Sequence, residues 1–269
     1  MGTFADKYGP WAVVAGASEG LGAAFATNLA KRGLSLVLLA RRAQALDDLA
    51  GSIRKTYGVE VKTAAVDLGQ PDVLDRVREA TAGLDVGLLV YNAAYSEIGR
   101  FLDQDVAGKL KTLDVNCRAP LLLTDHFGRT MAARGRGGIL LMSSMAGFQG
   151  AALVAVYAAT KAFNTVLGEG LWYELRDQGV DVLPFVAGAT TTPNFLKTAP
   201  RNGGKLGAPL MSSDAVAQEA LDALGHGPRA VAGRANRLAL FFMDRFLARK
   251  QRIEIMGKAM RRMYPNARA

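Results

Sequence analysis

The chain has a single cysteine, Cys117, and two histidines, His126 and His226, placed far apart. One thiol excludes an intramolecular disulfide and any multi-cysteine zinc site, and two separated imidazoles make no His-based metal cluster. No metal is expected. Long apolar runs are also missing: Leu34–Ala40 is broken by Ser35 and is too short to cross a bilayer. The first ten residues carry Asp6 and Lys7 and no apolar stretch of the signal type. A cytoplasmic, reducing setting is expected, and it suits a lone thiol. Acid is scarce, with 24 Asp and Glu against 33 Lys and Arg, a formal charge of +9. That excess raises nucleic acid or an anionic membrane as partners. No DNA- or RNA-binding motif is present, so nucleic acid ranks last.

What is present is an ordinary globular composition. The 269 residues are half hydrophobic, enough for one large domain or two small ones. Short, near-continuously apolar runs read as strands over Trp11–Ala15, Leu34–Ala40, Val59–Val66, Val86–Tyr91, Gly138–Met142 and Val180–Val186. Between them lie helical spacings such as Leu21, Phe25, Leu29 and Leu46, Leu49, Ile53. Strands apolar on both faces and alternating with helices predict an α/β fold, a doubly wound parallel sheet with helices on both sides. The stretch Pro200–Pro209 reads as a loop where a substrate lid or a plain surface turn would hang.

The first strand runs directly into Gly16-Ala17-Ser18-Glu19-Gly20-Leu21-Gly22 and then a helix. Glycines at this spacing let the chain turn, bring backbone close to a pyrophosphate and let helix pack on strand, while helix N–H groups face the anion. The end of the second strand would reach the adenosine ribose. A carboxylate there would select a 2′-hydroxyl; here Arg41 and Arg42 follow Ala40, and guanidiniums pair with a 2′-phosphate. NADP(H) is the expected cofactor, with Glu19 as a signal against it. Further on, Tyr157 and Lys161 stand four apart on a predicted helix and share a face. A nearby ammonium lowers a phenol's pKa and makes it a workable acid–base. Ser144 lies after the Gly138–Met142 strand, and Asn116 precedes a long helical stretch after the fourth strand.

These pieces, with Val66-Asp67-Leu68, Tyr91-Asn92-Ala93-Ala94 and Ser143 to Gly147, occur in an order and spacing that resembles the short-chain dehydrogenase/reductase family over about residues 10–230. The resemblance implies a Rossmann-type sheet and an Asn116–Ser144–Tyr157–Lys161 tetrad. In it Tyr157 donates the proton in reduction, Ser144 holds the carbonyl oxygen, Lys161 binds the nicotinamide ribose, and Asn116 anchors a relay water. Asp67 and Leu68 would meet the adenine, Asn92 and Ala93 would line the cleft, and Gly188, Thr190 and Thr192 would form the nicotinamide-side loop. Departures from the family pattern are Ala15, Ala94 and Ala187, all in cofactor loops. Looser similarity points to the 3-oxoacyl-CoA reductase and 17β-hydroxysteroid dehydrogenase branch, hence a lipophilic ketone and its secondary alcohol. The family habit also implies a homodimer or homotetramer through the Tyr157 helix, with Phe163, Val166, Leu167 and Leu171. A rival reading keeps the fold as a cofactor-sensing or interaction protein without turnover; the complete tetrad favours the enzyme.

Residues 234–269 differ from the rest. They hold ten Arg and Lys against Asp244 and Glu254, so they carry +8 of the net +9, and the preceding 1–233 is nearly neutral. Their apolar residues predict one or two basic amphipathic helices appended to the α/β body. Such helices mostly bury against protein, so Phe241, Phe242 and Phe246 are expected to cover the sheet edge, the substrate pocket or a partner subunit. Peripheral contact with an anionic membrane is the alternative. Trp172 and Tyr173 are expected in the core or a subunit interface, and Cys117 as a small buried hydrophobe.

Overall fold

The structure is a computed structural model that describes residues 2–198 and 210–268. The 200–209 loop therefore falls outside the described residues. Seven parallel strands form one sheet in the order β3-β2-β1-β4-β5-β6-β9. They are β1 Trp11–Ala15, β2 Ser35–Ala40, β3 Val61–Ala65, β4 Val86–Tyr91, β5 Gly137–Ser144, β6 Val180–Ala187 and β9 Ala230–Val231. Two more, β7 Thr190–Thr191 and β8 Met211–Ser212, pair with each other.

Alternation along each strand sorts the core into two layers. Val14, Leu36, Leu38, Leu88, Val90, Leu140 and Phe185 face one side and meet Phe25 and Leu29 of helix α2 (Gly20–Lys31), Leu46 and Ile53 of α3 (Ala43–Tyr57), and Val216 and Leu221 of α9 (Ser213–Ala223). Val13, Val37, Leu39, Leu89, Ile139 and Val182 face the other. They meet Val73 and Val77 of α4 (Val73–Ala80), Leu123 and Phe127 of α6 (Ala119–Ala133), and Leu167, Leu171 and Trp172 of α7 (Ala155–Leu175). Every residue of β4 is buried, which is why these strands read as unbroken apolar runs.

β5 and β9 depart from expectation for physical reasons. β5 continues past Met142 because Ser143 and Ser144 still pair with Val186 and Ala187, so tertiary pairing carries two polar residues into the ladder. β9 is only two residues long and offers no apolar run to read. Asn116 also sits differently. It lies inside a π-helical turn, Asp114–Arg118, that joins α5 (Val106–Leu113) to α6, rather than ahead of the helix. Such widened turns are frequent at functional sites.

The tail forms α10 (Arg234–Phe246) and α11 (Arg249–Met263). One face of α10 is anchored: Asn236 donates to Ala232 O at 2.8 Å, and Leu240 packs on Val186 and Val231 beside Met145 and Phe148. Its aromatics cover neither the sheet edge nor the substrate pocket of this chain. Phe241, Phe242 and Phe246 are each more than half exposed, and Leu240 takes the inward position instead. Tyr173 is likewise exposed, whereas Trp172 packs on the core. Among the described residues no helix is long and apolar enough to cross a membrane.

Candidate active site

The loops after β1, β2, β3, β4, β5 and β6 all emerge at the carboxyl edge of the sheet. β1 is central there, with β2 on one side and β4 on the other. In open parallel sheets that reversal of strand order opens the ligand crevice.

The glycine loop needs its glycines. Gly16 has φ +82°, and a Cβ there would lie 2.7 Å from the Ala93 Cα. A Cβ on Gly22 would lie 1.9 Å from the Gly16 carbonyl oxygen, a distance no side chain can occupy. Gly20, at φ +55°, runs 3.1 Å from Thr192 by the same measure, so the glycine loop and the β7 loop touch. Asn92 Nδ2 donates to Gly16 O at 3.1 Å and clips the loop to the end of β4. Glu19, the N-cap of α2, makes no side-chain cap bond, and Leu21 turns its side chain to the core. The cradle a pyrophosphate would fill is thus present and free of side chains.

At the adenosine end, Arg42 is already engaged. Its guanidinium pairs with Glu19 at 2.8 Å and donates to Ser18 Oγ at 3.1 Å. Arg41 is exposed beside it. Asp67 Oδ1 accepts from the Gly69 N–H at 3.0 Å, and the Leu68 side chain is buried, leaving its backbone to the cleft.

The four polar residues of the predicted tetrad converge at the ends of β5 and α7. Ser143 Oγ donates to Lys161 O at 2.7 Å and is hydrogen-bonded to Thr165 Oγ1 at 2.7 Å, which ties α7 to β5. Gly147 packs against α7 so closely that a Cβ would meet Ala162 N at 2.8 Å. Ser144 Oγ accepts from Ala146 N–H at 3.2 Å and lies near enough to the Tyr157 phenol to act on its pKa. Lys161 is buried; its ammonium donates to Met142 O at 2.9 Å and lies 5.6 Å from the Tyr157 ring centre. Asn116 is fully buried and fully bonded, to Tyr95 N and O at 2.8 Å each and to Thr160 Oγ1 at 3.0 Å. It therefore fixes both the Tyr95 loop and the turn carrying Tyr157.

The titration behaviour departs from the simple expectation that Lys161 lowers the Tyr157 pKa. Burial raises the phenol, the Ser144 hydroxyl pulls it partly back, and Tyr264 raises it again. Burial also pushes the Lys161 ammonium down to about 8. Desolvation outweighs pairing for both groups. The Cys117 thiol, half-buried near Lys161, is pushed up to about 11 by burial, as a small hydrophobe would be.

One group of residues was not legible beforehand. Met256 and Met260 of α11, with Tyr264 at its end, pack on Ala146, Ala151, Val154 and Ala158, with Ile98 and Tyr157 in the same cluster. Arg249 donates to Phe148 O at 2.7 Å and holds α11 over the turn that follows β5. Leu153, at φ +66°, is the one non-glycine left-handed residue among those described, and its carbonyl accepts from Gly99 N–H at 2.9 Å. A strained leucine at the mouth of a site marks a segment held in place by its neighbours. The tail's amphipathic pattern gave a face but no target.

Comparison with known proteins decides the family. The short chain dehydrogenase family model matches residues 10–202. The chain belongs to the short chain dehydrogenase family. Its oxidoreductase members use a nicotinamide cofactor, and the cradle described above fits one. Among curated relatives of this family, a 7beta-hydroxysteroid dehydrogenase of Clostridium sardiniense is 35% identical over 234 residues, covering 87% of this chain and 89% of its own. Very-long-chain 3-oxoacyl-CoA reductase-A of Danio rerio is 39% identical over 193 residues, 69% of this chain and 60% of its own. A solved 7beta-hydroxysteroid dehydrogenase, studied for its stereoselectivity, superposes with a TM-score of 0.90 at 32% identity over 95% of this chain and 99% of its own. A short chain dehydrogenase of Sphingobium yanoikuyae in complex with NADPH superposes at 0.75 with 30% identity, over 88% and 93%.

Proposed function

We propose that this short chain dehydrogenase is an NADP(H)-dependent reductase of lipophilic ketones, interconverting them with secondary alcohols. The observation that carries the reading is the placement of Ser144, Tyr157 and Lys161 on one edge of the crevice whose other side is the glycine cradle. When bound, the nicotinamide supplies the hydride. Tyr157 gives the carbonyl oxygen its proton, and burial keeps the phenol protonated at neutral pH, the form a donor needs. The Ser144 hydroxyl holds the same oxygen. Lys161 holds the ribose hydroxyls and resupplies the proton, and Asn116 keeps that turn in register.

The substrate class follows from the wall above Tyr157. Met256, Met260 and Ile98 are only partly buried there and, with buried Ala151 and Val154, make the surroundings of the Tyr157 ring apolar. A bulky hydrocarbon ketone of steroid or 3-oxoacyl type suits that wall, as the hydroxysteroid- and oxoacyl-named relatives support. Exposed Val106, Leu110 and Leu113 on α5 and Val166 and Tyr173 on α7 support an oligomer of this chain. The reading places it in the cytoplasm, where Cys117 stays reduced.

The NADP(H) preference rests on Arg41 and Arg42, supported by the NADPH-bound neighbour. Because Glu19 neutralises Arg42, Arg41 is assigned the larger share of the 2′-phosphate contact. A charge-assisted bond contributes about 1.5–3 kcal/mol, so Arg41→Ala is expected to weaken NADPH binding about 10- to 100-fold and leave NADH unchanged. Calorimetric titration of both cofactors checks this. Tighter NADH than NADPH binding by the unaltered protein would overturn the preference.

A further inference from the structure

The exposed face of α10 has a composition that the reaction does not use. Leu238, Phe241, Phe242 and Phe246 are all more than half exposed. The rings touch one another in solvent: Phe241 meets Phe242 edge-on at 5.8 Å, and Phe242 stacks on Phe246 at 5.7 Å. Helical spacing puts Arg234 and Arg245 on this same face, and both are exposed. Arg249 and Lys250, also exposed, follow at its end. The acids nearby are spent elsewhere: Asp244 is paired with Arg252, and Glu219 with Arg237.

We propose that this face of α10 docks on an anionic phospholipid surface, with the phenylalanines entering the headgroup–acyl boundary and the arginines among the phosphates. The charge pattern selects this occupant. A second copy pairing this face with itself about a two-fold axis would bring an arginine-bearing face against the same face, with no acid on either to answer the charge, and facing like charges oppose closure. An anionic leaflet answers every one of those charges and accepts the aromatic rings in the same plane. Arginine stems lie along apolar surface while their heads reach phosphate, so mixing Arg with Phe on one face is no conflict here. The helix is 13 residues, about 20 Å, and lies flat rather than spanning.

The placement gives the contact a use. The opposite side of the same helix, through Leu240, packs beside Met145 and Phe148 of the catalytic loop. A ketone dissolved in the bilayer would be delivered next to the apolar wall of the site. Docking itself does not depend on what the site reduces, so it stands or falls separately from the proposed reaction.

The test is co-sedimentation of the full chain with phosphatidylcholine vesicles and with the same vesicles carrying phosphatidylglycerol as a minority component. Each basic residue near an anionic leaflet strengthens binding about fivefold. Binding to the anionic vesicles is expected to exceed binding to neutral ones at least about tenfold, and to collapse near 1 M salt, where screening acts within about 3 Å. Phe241→Ser/Phe242→Ser/Phe246→Ser and, separately, Arg245→Glu should each lose about tenfold or more while keeping the circular-dichroism spectrum and NADPH affinity of the parent, because the replaced side chains are exposed. Equal binding to both vesicle types, no binding to either, or parental binding by both variants would overturn the proposal. So would a triple variant that falls from dimer to monomer in a parent that ignores vesicles, which would make the face an interface between copies.

Discussion

Tyr157→Phe should lose about three orders of magnitude in ketone reduction while binding NADPH as tightly as the parent. The phenol lies beside Ser144 at the crevice edge, and removing general acid catalysis costs about 10²–10⁴-fold. Phenylalanine keeps the ring, so the packing against Met256, Met260 and Ala158 survives. The loss should therefore appear in kcat with little change in KM, because the hydroxyl acts mainly where charge develops on the carbonyl oxygen. Steady-state kinetics with a bulky ketone, together with NADPH fluorescence titration, checks both halves. Substantial turnover by the variant would assign the proton to another group.

Lys161→Met should cut activity by orders of magnitude and stabilise the protein at the same time. Burial holds the Lys161 pKa near 8, against about 10.4 for a free lysine. Between those values the unfolded chain binds a proton that the folded chain does not, so stability rises with pH across that window. Below pH 8 both states are protonated and folding bears the full cost of burying the ammonium, of order 3 kcal/mol. Methionine has a similar length and no charge, and it removes that cost. At pH 7 the variant should melt several degrees above the parent, and the gap should close as pH rises through about 10. Activity should fall about 10²–10⁴-fold from lost proton supply and ribose contact. Thermal melts at pH 7 and pH 10 check the stability half; a variant less stable than the parent at pH 7 would show that the Met142 carbonyl contact outweighs desolvation.

The buried half of the molecule was legible because its signals are local. β1 and β4 stand where their apolar runs begin and end, and the glycine loop lies where strand, turn and helix meet. Tyr157 and Lys161 come together because four residues of helix put them there. What escaped depends on pairing across the chain. Ser143 and Ser144 belong to β5 only because β6 continues beside them. Arg42 loses part of its freedom to Glu19, a partner in another loop. Lys161 lowers its own charge state by being buried, which its spacing from Tyr157 does not reveal. The tail's basic, amphipathic pattern could not say that Leu240 would turn inward, that the phenylalanines would stay outside on this chain, or that Met256, Met260 and Tyr264 would close over Tyr157.

The central claim is that Ser144, Tyr157 and Lys161 serve direct hydride transfer from NADPH to a lipophilic ketone. It is tested most directly by supplying NADPH deuterated at C4 on one face or the other, with a bulky ketone, and locating the label in the product. The account predicts deuterium on the carbinol carbon from one epimer and none from the other, since a fixed crevice presents a single face. Delivery from neither epimer, or from both equally, would contradict it.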